Sequence, residues 1–406
     1  MIPPPADTKP DSPHVMQIVA CINIQVGGPS YSVPRLSVEV QKQGIKTTLF
    51  TYNNPDKGPM NHLAEQVNTV ALPLHPLEHR LWSFSRTGSR TIINLAKNVD
   101  LIHNHGLWLG PNRDARRAAN RHSVPLIISP RGMLNQWSLK HHPWRKKLAW
   151  WAYERANIHS AALLHATSEL EAEEIFRLGL AKQIAIIPNG VDVPAHEDLV
   201  DRKPLERHFP ELEGKKWILF LSRLHEKKGV DDLLHAWARV ERQYPDWHLI
   251  LAGGDFSNYQ EKLEEMTFQL QLGSRVTFTG PLVDTRRASA LNNCEFVVLP
   301  SHSENFGLVV AEALIHRKPV ITTHGTPWKI LAETGSGWWI DKSPEALHAT
   351  LLEALGAPAG QLRTMGEIGH RVVCERYCWE PIGQQMAAVY RWLLKQGEKP
   401  ECVQGR

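Results

Sequence analysis

The chain has 406 residues, of which 42% are hydrophobic and 22% charged, a composition typical of a globular protein with room for two hydrophobic cores. Its 46 Lys and Arg against 42 Asp and Glu give a net charge of +4, which is too small to predict a nucleic-acid partner but allows local basic patches. No apolar run is long enough to span a membrane, the first residues lack a signal-peptide pattern, and the five cysteines are scattered. We therefore expect a cytoplasmic protein with reduced thiols.

Short apolar strands alternate with helices after a Pro-rich segment, residues 1–14, which we expect to be a disordered tail. The first strand, 15–20, leads through Gly27 and Gly28 into a helix that ends near Gln43. Such a turn lets the backbone approach a phosphate, although a plain turn would have the same sequence. The further strands and helices of this half are predicted at 46–52, 70–74, 90–97, 100–104, 113–121, 126–129, 163–168, 169–178 and 184–192. Their alternation predicts a doubly wound parallel sheet, which binds ligands at the carboxyl ends of its strands.

Polar side chains follow two of these strands. His103 and His105 lie at the end of the strand 100–104, and the alternation of side chains places them on one face. A structural histidine bonded to the backbone is the usual alternative for either residue. Arg131 follows the strand 126–129, where an arginine suits an anionic ligand such as a phosphate.

Residues 137–155 are rich in Trp, Lys and Arg. Such a segment is compatible with peripheral contact with an anionic membrane. An amphipathic helix whose basic side chains extend over its own apolar surface explains the same composition, and this is the interpretation we favour.

Residues 193–213 are rich in Pro and charge and have no apolar period, so we place a linker at 196–213. It separates a first domain, 15–195, from a second domain, 214–378, and residues 379–406 form a last helix. The second domain opens with a strand that delivers Arg223 and Lys228 just before Gly229 and a helix. Two cations at such a turn can bind a diphosphate and stabilise the charge on a leaving nucleotide.

Residues 299–314 carry the strongest pattern, a strand followed by a polar loop and an Ala-rich helix. Glu304 lies in the loop, and Glu312 lies two helical turns further along. The backbone N–H groups that fall at the helix N-terminus favour an anion, and they belong to Asn305, Phe306, Gly307 and Leu308. Carboxylates accept hydrogen bonds from sugar or ribose hydroxyls. An anion site beside hydroxyl acceptors indicates a nucleotide sugar.

The Arg-x4-Lys-Gly element followed by the Glu-x7-Glu helix resembles the retaining family 4 glycosyltransferases of GT-B fold, especially a subgroup that assembles bacterial surface polysaccharides. The resemblance extends over residues 15–394. It implies an α/β protein of two Rossmann-like doubly wound parallel-sheet domains that face a central cleft. The first domain would bind the acceptor and the second the nucleotide sugar, with the last helix crossing back to the first. Trp328 stands where the broad family often has a glutamate.

The resemblance also implies roles for individual residues. The implied catalytic residues are His105, Arg223, Lys228 and Glu304. The implied donor-binding residues are Gly27, Gly28, Gly253, Leu282, Val283, Asn305, Phe306, Gly307, Leu308 and Glu312. The implied acceptor-binding residues are Arg131 and His103. Within these sets Glu304 would hold the sugar hydroxyls and Glu312 the ribose, while Leu282 and Val283 would lie against the base.

The function implied is transfer of a hexosyl unit, with retention, from a UDP- or GDP-sugar to a glycan or lipid-linked acceptor in surface or extracellular polysaccharide biosynthesis. The enzyme would work in the cytoplasm, including the inner face of the plasma membrane. The chain lacks the Asp-x-Asp triad that carries Mg²⁺ in the other main glycosyltransferase fold, so we expect no metal, and no cofactor besides the donor. Two alternatives stay open: a nucleotide-sugar 2-epimerase and a non-catalytic nucleotide-sugar-binding protein.

Overall fold

Two compact α/β units make up the part of the chain that the computed structural model describes, which is residues 12–75, 78, 82–140, 143–180, 183–194, 200–255 and 258–405. The first unit contains the described residues up to Gly190 and those from Trp379 onward, and the second unit is Val191–Cys378. Most of the predicted tail 1–14 lies outside the described residues, and His14 already belongs to the first strand.

Each unit is built on one sheet. In chain order the strands are β1 (His14–Cys21), β2 (Lys46–Asn53), β3 (Asn68–Pro73), β4 (Leu101–His105), β5 (Leu126–Ser129), β6 (Leu163–Ala166), β7 (Gln183–Ile186), β8 (Lys216–Leu221), β9 (Trp247–Ala252), β10 (Val276–Gly280), β11 (Cys294–Leu299), β12 (Val320–Thr323), β13 (Gly337–Ile340) and β14 (Val403–Gly405). The first sheet has the order β14-β7-β6-β5-β4-β1-β2-β3 and the second the order β10-β9-β8-β11-β12-β13. Neighbouring strands are parallel except β14, which pairs antiparallel with β7. Two doubly wound parallel sheets are therefore present, as predicted.

Helices cover the faces of these sheets. In the first unit the α-helices are Pro29–Lys42, Arg86–Leu95, Gly110–His122, Gln136–Lys140, Pro143–Ala149, Arg155–Ser160, Glu169–Arg177 and Trp379–Leu393, with a π-helical turn at Trp150–Glu154. In the second unit they are Lys203–Glu206, Val230–Ala238, Tyr259–Gln269, Asp284–Asn293, Leu308–Ile315, Ile330–Thr334, Pro344–Gly356 and Ala359–Arg376. None of the described helices is long and apolar enough to cross a membrane.

The two faces of the first sheet carry different cores because successive side chains of a strand point to opposite faces. On β4, Ile102 packs into the core on one face, whereas Leu101 packs into the core on the other. That second core also contains Trp379 and Tyr390 from the C-terminal helix Trp379–Leu393. His103 and His105 share the face of Leu101, so the C-terminal helix covers the same side of the sheet as the two histidines.

The predicted linker, 196–213, falls within the second unit, which begins at Val191. Residues 195–199 lie outside the described part of the chain, but Lys203–Glu206 is helical and Pro210–Leu212 forms a 3₁₀ turn. Leu205 and Leu212 are fully buried in the core of the second unit. Two isolated leucines give no apolar period, so their burial depends on tertiary contacts, such as the Trp217 Nε1–H bond to the Leu212 carbonyl at 3.0 Å.

Candidate active site

Three loops of the second unit come together where their strands end. After β8 the chain passes through a 3₁₀ turn, Glu226–Lys228, to Gly229, which has a φ of +67°. A Cβ atom at Gly229 would lie 2.3 Å from the carbonyl oxygen of Pro300 in the loop after β11. A Cβ atom at Gly253, after β9, would lie 1.7 Å from the carbonyl oxygen of Ser222. Only glycine permits these close approaches, which bring the predicted cation turn against the predicted carboxylate loop.

Lys228 and Glu304 form an ion pair at this point, through Nζ and Oε1. The hydroxyl of Ser301 donates a second bond to the same Oε1 at 2.9 Å. Burial raises the pKa of Glu304, but the nearby Lys228 outweighs it, and the net result is a pKa below the usual value of a glutamate. Glu304 is therefore ionised at neutral pH. Both side chains keep about a tenth of their surface exposed, at 13% and 11%, so the pair is accessible to a ligand.

The helix Leu308–Ile315 begins directly after this loop, at Gly307 with a φ of +78°. Its first N–H groups have no acceptor within the helix, and the helix dipole adds positive potential there. Phe306 is buried against the rings of Trp328 and Tyr377, at 5.3 and 5.9 Å between centroids. Trp328 also donates its indole N–H to the Phe306 carbonyl at 2.5 Å. Trp328, the departure from the family pattern, thus fixes the loop that precedes the helix.

Glu312, on the same helix, is bound by a residue that the sequence analysis missed. Arg287 donates from Nη2 to Glu312 Oε2 at 2.7 Å. Arg287 belongs to the helix Asp284–Asn293, which starts next to Val283. Val283 is exposed, whereas Leu282 is buried in the core, so only Val283 of this pair presents its side chain to a ligand. Arg223 is also exposed, in the loop after β8.

In the first unit, the turn before the helix Pro29–Lys42 is open. A Cβ atom at Gly27 or Gly28 would meet no atom within 4 Å. Gly27 has a φ of +121°, which favours glycine, but Gly28 is right-handed helical. The space beside this turn is therefore free.

His103 and His105 lie on one face, as predicted, with ring centroids 4.1 Å apart. Both are buried, at 0% and 2% exposure, and every ring nitrogen has a partner. His103 contacts the Tyr390 hydroxyl at 2.8 Å and the Ser129 hydroxyl at 2.7 Å. His105 contacts Gln17 Oε1 at 2.6 Å and Arg131 at 3.1 Å. Both ring nitrogens of His103 are therefore occupied by protein side chains, and neither is left for an acceptor substrate.

Arg131 borders this histidine pair. Its backbone has a φ of +57°, and its guanidinium donates to Asn189 Oδ1 at 2.6 Å and to His105 Nδ1 at 3.1 Å. Within the described residues its buried Nε has no hydrogen-bond partner. Burial lowers the pKa of Arg131 to about 10, with Glu171 opposing the shift, so the side chain stays positively charged at neutral pH. Burial is also the main reason that the pKa values of both histidines fall well below 6.5, which makes them neutral.

The Trp-, Lys- and Arg-rich segment presents apolar side chains to solvent. Trp144, Leu148 and Trp151 are 67%, 55% and 68% exposed, and their spacing places them on one side of the continuous helical stretch 143–160. The exposed basic residues of this region are Lys140, Arg145, Lys147 and Arg155. Glu154 is the acidic residue of residues 137–155, and it is buried. The exposed surface of these helices is therefore aromatic and cationic.

Among the described residues, Asp231, Asp232 and His302 are close enough to hold a metal ion, since one ligand atom from each lies within 4.8 Å of the others. Exposed acidic groups often lie this close without an ion. The expectation that the reaction needs no metal stays a prediction.

Two family models match the two halves of the chain. The model described as "Glycosyl transferase 4-like domain" matches residues 27–190, and the one described as "Glycosyl transferases group 1" matches residues 201–371. Together they cover most of the sequence, in the order of the two units. The chain belongs to the family 4 type of GT-B glycosyltransferases.

Curated relatives resemble this glycosyltransferase over nearly its full length in one case and over about half of it in another. A D-inositol 3-phosphate glycosyltransferase of Jonesia denitrificans is 27% identical over 389 residues, covering 90% of this chain and 91% of the relative. A glycogen synthase of Mycobacterium tuberculosis is 29% identical over 232 residues, covering 56% of this chain and 53% of the relative.

Solved structures agree on the fold of the glycosyltransferase. Sucrose-phosphate synthase from Thermosynechococcus elongatus aligns with a TM-score of 0.74 at 21% identity, covering 94% of this chain and 99% of that one. HepE of Anabaena, solved in complex with UDP-glucose, aligns with a TM-score of 0.74 at 18% identity, covering 93% and 99%. The prediction of two Rossmann-like domains in a GT-B fold is confirmed.

Proposed function

We propose that this glycosyltransferase moves a hexosyl unit from a UDP- or GDP-sugar to a glycan or lipid-linked acceptor, with retention at the anomeric carbon and without a metal ion. The observation that carries the proposal is the accessible Lys228–Glu304 pair at the start of the helix that holds Glu312. This arrangement combines a cation, a helix N-terminus and two carboxylates within one unit. It matches a diphosphate joined to two hydroxyl-bearing groups.

In the proposed complex, Lys228 and Arg223 bind the diphosphate and stabilise the negative charge that develops when its bond to the sugar breaks. Lys228 then shares its charge between the phosphate and Glu304. Glu304 accepts hydrogen bonds from the sugar hydroxyls, and Glu312 accepts them from the ribose. The exposed Val283 lies against the base. The acceptor attacks on the face that the diphosphate leaves, and the leaving phosphate takes the acceptor's proton.

Arg131 and His105 form the acceptor side in this proposal. Arg131 has no carboxylate partner in ion-pair contact among the described residues, because its guanidinium bonds only to an amide oxygen and an imidazole nitrogen. A guanidinium that has no carboxylate in ion-pair contact has N–H groups available to an anionic ligand. An acceptor that carries a phosphate would supply that charge.

Two kinds of phosphate-bearing acceptor are supported by different observations. The exposed Trp144, Leu148 and Trp151, with their basic neighbours, favour a lipid-linked acceptor reached from an anionic membrane surface, as in polysaccharide assembly at the inner face of the plasma membrane. The relative named D-inositol 3-phosphate glycosyltransferase favours a small phosphorylated polyol as the second candidate.

The proposal is tested by following the reaction in EDTA. The enzyme is incubated with UDP- and GDP-hexoses and with either D-inositol 3-phosphate or lipid-linked saccharides in vesicles, and the anomeric proton of the product is recorded by NMR as the nucleotide is released. Nucleotide release with an anomeric configuration equal to that of the donor supports the proposal. Inversion, a requirement for metal, epimerised donor without release, or binding without turnover would each contradict it.

A further inference from the structure

A continuous series of hydrogen bonds links Arg131 to the backbone carbonyl of Ile187, which directly follows β7. Its links join Arg131 to His105 at 3.1 Å, His105 to Gln17 at 2.6 Å, Gln17 to Tyr390 at 2.9 Å, Tyr390 to His103 at 2.8 Å, His103 to Ser129 at 2.7 Å, Ser129 to His165 at 2.6 Å and His165 to the Ile187 carbonyl at 2.8 Å. Four strands, β1, β4, β5 and β6, and the C-terminal helix supply its members, apart from Arg131 in the loop after β5 and Ile187 directly after β7. All of the side chains except Arg131 are buried, so water does not complete these bonds.

The chemistry of the first link sets the direction of the next two. An arginine can only donate, so His105 Nδ1 must be an unprotonated acceptor. Because His105 is neutral, its single proton lies on Nε2 and is donated to Gln17 Oε1. The amide of Gln17 is thereby oriented with its nitrogen toward the Tyr390 hydroxyl, to which it donates.

The second half of the series follows in the same direction. The Tyr390 hydroxyl accepts from Gln17, so its own hydrogen is available for His103 Nδ1. His103 is neutral and then carries its proton on Nε2, which it donates to Ser129. Ser129 donates to His165 Nδ1, and His165 Nε2–H donates to a backbone carbonyl. Each donor meets one acceptor, and no link requires a second proton.

We propose that Gln17 and Tyr390 are positioning residues that hold His105 in the form with a bare Nδ1, and thereby hold the guanidinium of Arg131 in the orientation required by an anionic acceptor. The inference rests on the proposed function, because it takes Arg131 and His105 as the acceptor side. A helix at the end of the chain would thus set the geometry of a site built by residues near its beginning. Tyr390 lies 285 residues after His105 in the sequence.

The proton on His105 Nε2 explains how the N–H groups of Arg131 can face His105 Nδ1. A histidine with its proton on Nδ1 would direct an N–H toward the Arg131 N–H groups, and the two donors would repel. The guanidinium would then turn away, since its remaining bond is the one to Asn189. Fixing the proton on Nε2 removes this alternative.

The first test is the position of the ring protons in the folded enzyme. In protein labelled with ¹⁵N-histidine, the long-range ¹H–¹⁵N spectrum distinguishes bare from protonated ring nitrogens, and the signals are assigned with His103→Gln, His105→Gln and His165→Gln. We expect all three rings to carry their proton on Nε2 at pH 7. A proton on Nδ1 of any of these rings, or on both nitrogens, would overturn the proposal without any need for a Tyr390 variant.

The second test is Tyr390→Phe, with Tyr52→Phe as the matched control. Tyr52 is equally buried in the first unit, and its hydroxyl lies outside the series. We expect Tyr390→Phe to shift the ring signals of His103 and His105 toward mixed tautomers, while Tyr52→Phe leaves both unchanged. Unchanged His105 signals in Tyr390→Phe would overturn the assignment of a positioning role.

A third measurement separates this inference from the donor assignment. Stabilisation of the enzyme by UDP and GDP depends on the second unit, so we expect it to be equal in wild type and Tyr390→Phe. Failure of the wild type to respond to either nucleotide would count against the proposed function while leaving the tautomer result standing. A loss of response confined to Tyr390→Phe would overturn the inference, because the effect would then not be limited to the acceptor side.

Discussion

Glu154 should make the stability of the first unit depend on pH. Its side chain is fully buried, and its carboxylate accepts the backbone N–H of Trp108 at 2.7 Å and a side-chain N–H of Asn157 at 3.3 Å. Burial raises its pKa from 4.5 to about 7, although these hydrogen bonds and Arg116 act in the opposite direction. The perturbation is Glu154→Gln, which keeps the shape and the acceptor for Trp108 but removes the titration.

The size of the effect follows from the shift. At about 1.4 kcal/mol per pKa unit, a change from 4.5 to about 7 corresponds to roughly 3 kcal/mol. The folded protein keeps this proton up to pH 7, whereas the unfolded chain releases it near pH 4.5. The free energy of unfolding should therefore fall as the pH rises through this window and then level off. In Glu154→Gln this contribution to the slope should be absent.

The assay is urea unfolding followed by tryptophan fluorescence at half-unit steps from pH 4.5 to 8. Glu173→Gln, which alters an exposed glutamate of the same unit, is the control. We expect the stability difference between Glu154→Gln and wild type to move in favour of the variant by about 1–3 kcal/mol between pH 4.5 and 7.5. Parallel stability curves for the two proteins would refute the reasoning, because Glu154 would then have the same pKa in both states.

Three further predictions concern the turns, the surface and the donor carboxylate. Gly253→Ala should destabilise the second unit by about 2 kcal/mol or more, because its Cβ would lie 1.7 Å from a backbone oxygen, and thermal unfolding of that variant measures the loss. Trp144→Ala combined with Trp151→Ala should reduce co-sedimentation with vesicles containing anionic phosphatidylglycerol by at least tenfold, whereas thermal stability should hardly change, because both side chains are exposed. Equal co-sedimentation of wild type and variant would argue against a membrane surface here. Arg287→Ala should free Glu312 from its 2.7 Å contact and so change the affinity for UDP and GDP, as measured by calorimetry. Circular dichroism should show an unaltered fold. Unchanged affinity for both nucleotides would contradict the assignment of Glu312 to the donor site.

Much of the fold was predictable because a parallel sheet buried on both faces leaves continuous apolar runs in the sequence. Residues 126–129 form a strand with the predicted bounds, and the helix Glu169–Arg177 ends one residue before the prediction. The prediction of a helix over 379–406 was wrong at its end, because the helix stops at Leu393 and Val403–Gly405 form the strand β14. Three residues near the end of the chain carry no periodicity. The formation of β14 depends on pairing with β7, which a local pattern does not contain.

The candidate site likewise has parts that the sequence predicts and parts that it does not. The turn with Lys228 and the loop with Glu304 are each local motifs, and glycines with restricted surroundings bring them together. Contacts that join distant segments left no comparable signal. Tyr390 and His103 are separated by 287 positions in the sequence. A tyrosine on an amphipathic helix has the sequence pattern of an ordinary core residue. His103 could therefore be predicted from the sequence as a site residue, whereas the partners that enclose it could not.

Binding of nucleotides to the second unit tests the central claim most directly. Thermal unfolding is recorded in EDTA with UDP, GDP and their sugars for wild type, Lys228→Ala and the control Lys262→Ala, which removes an exposed lysine of the same unit. We predict that one nucleotide family stabilises the wild type and the control equally, by about 3 kcal/mol at a hundred times the dissociation constant, and Lys228→Ala much less. No stabilisation of the wild type by any nucleotide, or equal stabilisation of all three proteins, would contradict the assignment of the donor site to the Lys228–Glu304 pair.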